Sequence, residues 1–184
     1  MPIFIIEHLE PRLYKWCIME YKHISAVVGK QNLWFTNVKS GALGSYGRAI
    51  NQSVAGLNLK NACVLDPEAE KILCPGERFD YYIFGGILGD SPPQKRTKPG
   101  LTARLKDCAA RNIGNAQMST DNAVYVVNQI AKGIPLHKLK FQDGLEIRVG
   151  KGESVILPYR YVLVQGKPLI CRELKEHLKR RRVF

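Results

Sequence analysis

The spacing of apolar and polar positions changes period along the chain, and each change marks an element. Short apolar runs at Ile3 to Ile6, Asn32 to Thr36 (with Trp34 and Phe35), Ala62 to Leu65 and Phe79 to Phe84 have the β-branched and aromatic content of buried strands. Between the first two, Leu13, Trp16, Cys17, Tyr21, Ile24, Val27 and Val28 recur at helical spacing. Pro11 suits the first turn of that helix and Gly29 ends it. Further on, Ala123, Val124, Val127, Ile130 and Ala131 share one helix face, which Gly133 closes. Strand, helix, strand, an irregular segment and another strand is the order of an α/β fold: a mostly parallel sheet with covering helices.

The remaining segments are weaker. Residues 37–61 are rich in glycine and poor in apolar periodicity, which predicts a mobile stretch with a short helix near Ser45 to Val54. Pro92 and Pro93 delay any helix until Arg96 to Lys106, and Cys108 to Ile113 reads as a short strand closed by Gly114. After Pro135 the period becomes two, with strands joined by turns at Asp143-Gly144, Gly150-Lys151-Gly152 and Gln165-Gly166-Lys167. Ile170 to Val183 then forms a basic helix or frayed tail. The chain is therefore expected to hold an α/β core over 1–135 and a β-rich C-terminal extension over 136–184, packed on the same domain.

Parallel sheets collect ligands beyond the carboxyl ends of their strands. One strand here ends on Gly85-Gly86, followed by Ile87, Leu88, Gly89 and Asp90, and another ends on Asp66. A third ends on Gly114 and runs through the polar turn 115–121, whose hydroxyls and carboxylate suit a helix N-cap. Glycine lets the main chain take φ > 0 and lets a ligand reach its N–H and C=O groups. Taken alone, the glycines fit an ordinary tight turn equally well. They match neither a triphosphate-binding loop nor G-x-G-x-x-G. One polar residue interrupts the first helical stripe: Glu20 sits beside Cys17, Tyr21 and Ile24, where a carboxylate must find a partner or shift its pKa.

Charge adds a partner class. Twenty-eight Lys and Arg against sixteen Asp and Glu give a formal +12, which favours a polyanion such as RNA or a ribonucleoprotein. Lys95, Arg96 and Lys98 follow the glycine turn, and Lys175, Lys179, Arg180, Arg181 and Arg182 crowd the end of the chain. Five cysteines without C-x-x-C or paired spacing fit reduced thiols in a cytoplasmic protein and argue against a metal site. No apolar run reaches the ~18 residues of a membrane span, and the N-terminus lacks the features of a secretory signal.

Taken in order, Ile5-Ile6-Glu7-His8, Met19-Glu20-Tyr21, Leu65-Asp66-Pro67, Phe79-Asp80-Tyr81, Phe84-Gly85-Gly86-Ile87-Leu88-Gly89-Asp90-x-Pro92-Pro93-x-x-Arg96-Thr97, Gln117-Met118-x-Thr120-Asp121 and Pro158-Tyr159-Arg160-Tyr161-Val162-Leu163 resemble one branch of the SPOUT methyltransferases. That branch contains a protein-arginine methyltransferase acting on a protein of the small ribosomal subunit. The likeness covers nearly the whole chain, except residues 37–61 and the tail Lys179 to Arg182. It implies a deep trefoil knot that folds S-adenosylmethionine against Leu65, Phe84, Gly85, Gly86, Ile87, Leu88, Gly89, Ile113, Gly114, Gln117, Met118, Ser119 and Thr120. Adenine needs an apolar slot and backbone hydrogen bonds, which those residues offer.

A guanidinium is a cation and a poor nucleophile, so a carboxylate must hold it, orient it and accept a proton. Asp90, Glu7 and Glu20 are the candidate catalytic residues; Asp66, Arg96 and Asp121 are candidate substrate contacts. The resemblance implies a monomer acting on a ribosomal protein or subunit. Methylation of ribosomal or transfer RNA, with the basic tail as an RNA contact, is the first alternative, and a non-catalytic ribosome-binding protein the second.

Overall fold

The computed structural model describes residues 1–39, 41–88 and 96–180. Six parallel strands form the central sheet: β1 (Ile3–His8), β2 (Leu33–Thr36), β3 (Arg48–Ala49), β4 (Ala62–Leu65), β5 (Tyr81–Gly86) and β6 (Ala109–Arg111), in the order β3-β2-β1-β5-β4-β6. Strands buried on both faces need apolar residues at every position, which is why the central ones read as continuous runs rather than alternations. Phe4 and Ile6 of β1 face one layer and Ile5 the other.

The two faces are covered differently. On one, α1 (Lys15–Val28) and α3 (Thr120–Ala131) lay Tyr21, Ile24, Val124, Val127 and Ile130 on Phe4, Ile6, Phe35, Tyr82 and Phe84. On the other, Ile5, Val64 and Ile83 are covered by irregular chain carrying Val54, Leu57 and Leu101. The helix expected near Ser45 to Val54 is absent: 3₁₀ turns at Gly41–Ser45 and Val54–Gly56 flank the edge strand β3. Its backbone bonds β2 instead, with Ile50 N–H donating to Phe35 O (2.8 Å) and Asn37 N–H to Gln52 O (3.0 Å). The helix expected over Arg96 to Lys106 is broken into α2 (Thr97–Gly100) and a 3₁₀ turn at Thr102–Arg104.

The C-terminal part is an antiparallel sheet of β7 (Phe141–Gly150), β8 (Glu153–Val164) and β9 (Lys167–Pro168), followed by α4 (Arg172–Arg180). Asp143-Gly144 is not a turn. Gly144, at φ 76°, lies within β7 where the register with β8 shifts, so the glycine serves a bulge and the strand continues. Leu174 and Leu178, one turn apart on α4, pack with Ile147, Leu157 and Tyr161 and with Met19 of α1.

β8 also reaches the core directly. Arg160 N–H donates to Gln117 O (2.8 Å). The side chain of Asn122, fully buried in α3, donates to Leu169 O (2.9 Å) and accepts from Val162 N–H (3.0 Å). Among the described residues, no helix is long and apolar enough to cross a membrane.

Candidate active site

The carboxyl ends of β4, β5 and β6 open onto a cavity of about 690 Å³. Its walls include Leu65, Asp66, Phe84, Gly85, Ile87, Leu88, Ile113, Gly114, Gln117, Met118 and Thr120, which the sequence places at a cofactor or its substrate. Arg96 stands on the rim with them. Pro67, Glu68, Ala69, Thr97, Asn115, Ala116 and Ala123 complete the wall.

Two expected contacts face away from this cavity. A Cβ at Gly86 would run into the Tyr21 hydroxyl and Ile6, so that glycine exists to let α1 close on the sheet. Ser119, at the N-cap position of α3, turns its hydroxyl to Asp121 Oδ1 (2.6 Å) rather than to the helix N–H groups. Gly114 is the opposite case to Gly86: at φ 98° it takes a conformation costly for other residues, and a Cβ there would meet nothing within 4 Å. Gly89 and Asp90 lie outside the described residues.

Polar side chains that the sequence does not advertise hold the walls in place. Asn112 Oδ1 accepts from Gly114 N–H (2.9 Å) and its amide donates to Ala69 O (2.7 Å), tying two walls together. Glu10, just past β1, accepts from Leu88 N–H (2.8 Å) and sits 3.3 Å from Arg96, whose guanidinium donates to Leu88 O (2.7 Å). Asp66 accepts from Thr102 Oγ1 (2.7 Å) and Glu68 N–H (2.9 Å), so it fixes the end of β4.

The other three acidic candidates among the described residues have different surroundings. Glu7 does not line the cavity. Its carboxylate accepts from Thr36 Oγ1 (2.5 Å), Ser53 Oγ (2.6 Å) and Val54 N–H (2.9 Å), which pins the irregular segment to the end of β1. Asp121, 2% exposed, accepts from Ser119 Oγ, Asn122 N–H (2.9 Å) and His23 Nδ1 (2.7 Å).

Glu20 is 6% exposed and accepts one hydrogen bond among the described residues, from Trp16 Nε1 (2.7 Å). Burial, and then the nearby Asp121 charge, raise its pKa to about 8 against the pull of the Trp16 bond. Glu20, Asp121, Trp16, Ser119, Tyr159 and Tyr161 line a crevice of about 10 Å³, room for roughly one water. The turn 117–120 separates this crevice from the large cavity, since Gln117, Met118 and Thr120 line one and Ser119 the other.

A parallel sheet with glycine-lined turns at its carboxyl edge, and a polar turn leading into a covering helix, is the cradle of a SPOUT methyltransferase. Solved Trm10 structures share the fold: that from Thermococcus kodakaraensis is 17% identical, matches 74% of this chain and 95% of its own, and superposes with a TM-score of 0.54. A family model, protein arginine N-methyltransferase SFM1-like, matches residues 3–183, and the chain belongs to that family. The Saccharomyces cerevisiae protein arginine N-methyltransferase SFM1 is 35% identical over 96% of this chain and 94% of its own.

The crystal structure of the yeast enzyme complexed with SAH superposes with a TM-score of 0.89 at 34% identity, covering 96% of this chain and 94% of that one. Its complex with SAM gives 0.87 at 34% identity, covering 97% and 90%. S-adenosylmethionine is the cofactor this chain's family uses, and the cavity fits it. Apolar side chains offer a slot for the base, and Gly85 and Gly114 bring main chain to the cavity wall.

Proposed function

We propose that the protein methylates an arginine of a small-ribosomal-subunit protein in the cytoplasm, acting as a monomer. The observation that carries the reading is the crevice: two buried carboxylates, Glu20 and Asp121, walled by Trp16, Tyr159 and Tyr161, against the back of the cofactor turn. Aromatic faces and paired carboxylates are the surroundings a planar cation selects. A neutral nucleobase would not supply the positive charge that two buried acids lack. Five free cysteines agree with a reducing compartment.

The bound cofactor supplies a methyl group on a sulfonium. The chain's own residues do the rest. Turn 117–120, fixed by Arg160 N–H, sets the distance between the two sites. At neutral pH Glu20 holds its proton, because its burial and Asp121 both oppose a second negative charge. A guanidinium entering between them supplies the missing positive charge, so Glu20 ionises as the substrate docks. When a guanidinium nitrogen takes the methyl group it must lose a proton, and Glu20 is the acceptor best placed to regain one. The crevice as it stands is water-sized, so Trp16 and Tyr159 must part to admit the side chain.

Exposed Arg172, Lys175, Lys179 and Arg180 on α4 give the enzyme a cationic face for ribosomal RNA, with binding that weakens as salt rises. The same charge supports the second reading, transfer to RNA itself. Labelled S-adenosylmethionine offered to purified ribosomal subunits separates the two. Label released by protease and stable to nuclease, recovered as methylarginine, is the expected result; label in nucleotides would replace this reading with the second.

A further inference from the structure

The charges that act on the large cavity do not all stand in its wall. Among the described residues that line it, Asp66 and Glu68 carry negative charge and Arg96 carries positive charge. Behind Arg96 lies Glu10, on the loop between β1 and α1, which is no part of the wall. One oxygen of Glu10, Oε1, accepts from Leu88 N–H (2.8 Å) and stands 3.3 Å from Arg96 Nη1, while Arg96 Nη2 donates to Leu88 O (2.7 Å). A closed ring of three residues therefore holds the guanidinium on the rim. The Glu10 side chain is 8% exposed and that of Arg96 36%, so the carboxylate is sheltered and the cation is the member that reaches the cavity.

We propose that Glu10 is a specificity-determining residue for the cofactor: by offsetting the charge of Arg96, it raises the affinity of the cavity for SAM relative to SAH. The proposal rests on the cavity being the cofactor's and is independent of the arginine reading of the crevice.

The physical argument compares two ligands that differ by one methyl group and one charge. When the methyl group leaves, the C–S electron pair stays on sulfur, so the sulfonium becomes a neutral thioether. The adenosine, the carboxylate and the ammonium are common to both, and whatever holds them cancels in the ratio of the two affinities. What remains is the field at the sulfur. A cavity of about 690 Å³ is hardly wider than the ~8–10 Å over which charges still feel each other at ordinary salt, so Arg96 acts on a sulfonium anywhere inside it. Without Glu10 that guanidinium would favour the neutral product, and the enzyme would be held by what it has just made. The Glu10 carboxylate supplies an opposite charge at nearly the same distance from the sulfur, and the two contributions largely cancel.

Glu10→Gln removes the charge alone, since the amide oxygen can stand where Oε1 stands and accept from both Leu88 and Arg96. Calorimetric titrations of the full chain with SAM and with SAH, at one pH and one salt concentration, are expected to show the Kd for SAM divided by the Kd for SAH raised at least about threefold. Arg96→Gln should lower the same ratio by a similar factor, because it leaves Glu10 beside the cavity without its cation. Glu146→Gln, the same loss of charge at an exposed position of β7, should leave the ratio where it is.

A ratio that does not rise in Glu10→Gln, or that moves in one direction in both variants, overturns the proposal. General damage to the fold weakens both ligands together and so does not imitate opposed shifts. Should Glu10→Gln fail to fold, Arg96→Gln decides alone: a ratio that falls there supports the proposal, and one that stays or rises overturns it.

Discussion

Glu7 at the end of β1 and Glu20 in the middle of α1 are both nearly inaccessible to solvent, at 1% and 6% exposure, yet their surroundings are opposite. Around Glu7 three donors converge from β2 and the irregular segment, so its charge is met and its geometry closed. Around Glu20 there is one donor, a second carboxylate and aromatic walls. Burial alone does not distinguish a strut from a working acid; the count of donors does. A carboxylate whose hydrogen bonds are all made has nothing left to offer a substrate. One that is short of donors is waiting for a cation.

The comparison can be broken at several points. The largest effect is expected from Glu20→Gln, which should lower the rate of methyl transfer by about 10² or more while SAH affinity is retained. Glu7→Gln should do the reverse, costing about 2–3 kcal/mol of stability through its lost charge-assisted bonds but leaving turnover per folded molecule within a few-fold. Urea unfolding and initial rates on the same preparations would decide it, and equal losses of rate in the two variants would dissolve the distinction.

The same contrast appears in stability against pH. In the unfolded chain Glu20 ionises near pH ~4.3, and in the fold near about 8. Between those values only the native state holds the proton, so this residue's contribution makes stability fall as pH rises, levelling off above about 8. Glu20→Gln removes that decline. The variant should gain on the parent between pH 5 and pH 8, and parallel urea midpoints across that range would contradict the assignment.

Glycines give a smaller version of the test. Gly114→Ala puts a side chain at positive φ in the cavity wall and should weaken SAH binding about tenfold, with about 1 kcal/mol of strain. Gly86→Ala should act on unfolding rather than on affinity, because its obstacle is Tyr21. Smallest of all is Arg160→Ala. It removes a solvent-screened ion pair with Asp143 and leaves in place the main-chain N–H that holds Gln117, so rates should change less than twofold.

The sheet and its two long helices are legible in the sequence because burial on both faces and on one stripe leaves unmistakable periods. The irregular cover over Ile5, Val64 and Ile83 is not legible, since its order comes from bonds to β2 and to Glu7 that lie far along the chain. Gly144 misleads for a similar reason: a glycine at positive φ suits a turn and a bulge alike, and only the pairing with β8 tells them apart.

At the site, Gly85, Gly114 and Met118 can be read from strand ends and a polar turn. Gly86 is rightly placed in sequence but serves packing. Glu10 and Asn112 escape notice altogether, because a carboxylate after a strand and an amide before a glycine carry no signal until Leu88 and Ala69 come to meet them. Glu20 is the one functional candidate that shows itself by breaking a rule, as a charge on an apolar stripe.

Asn122 carries a last consequence. Its amide group grips Val162 and Leu169 on one side and the Ser119 hydroxyl on the other, so a single inaccessible residue spans the boundary near Pro135. A truncated protein stopping at that proline would leave this amide, and Gln117 O with it, facing a void where the hairpin had been. The last fifty or so residues are thus part of the scaffold on which the donor pocket is cast, and grafting them between relatives would mean transplanting the grip as well.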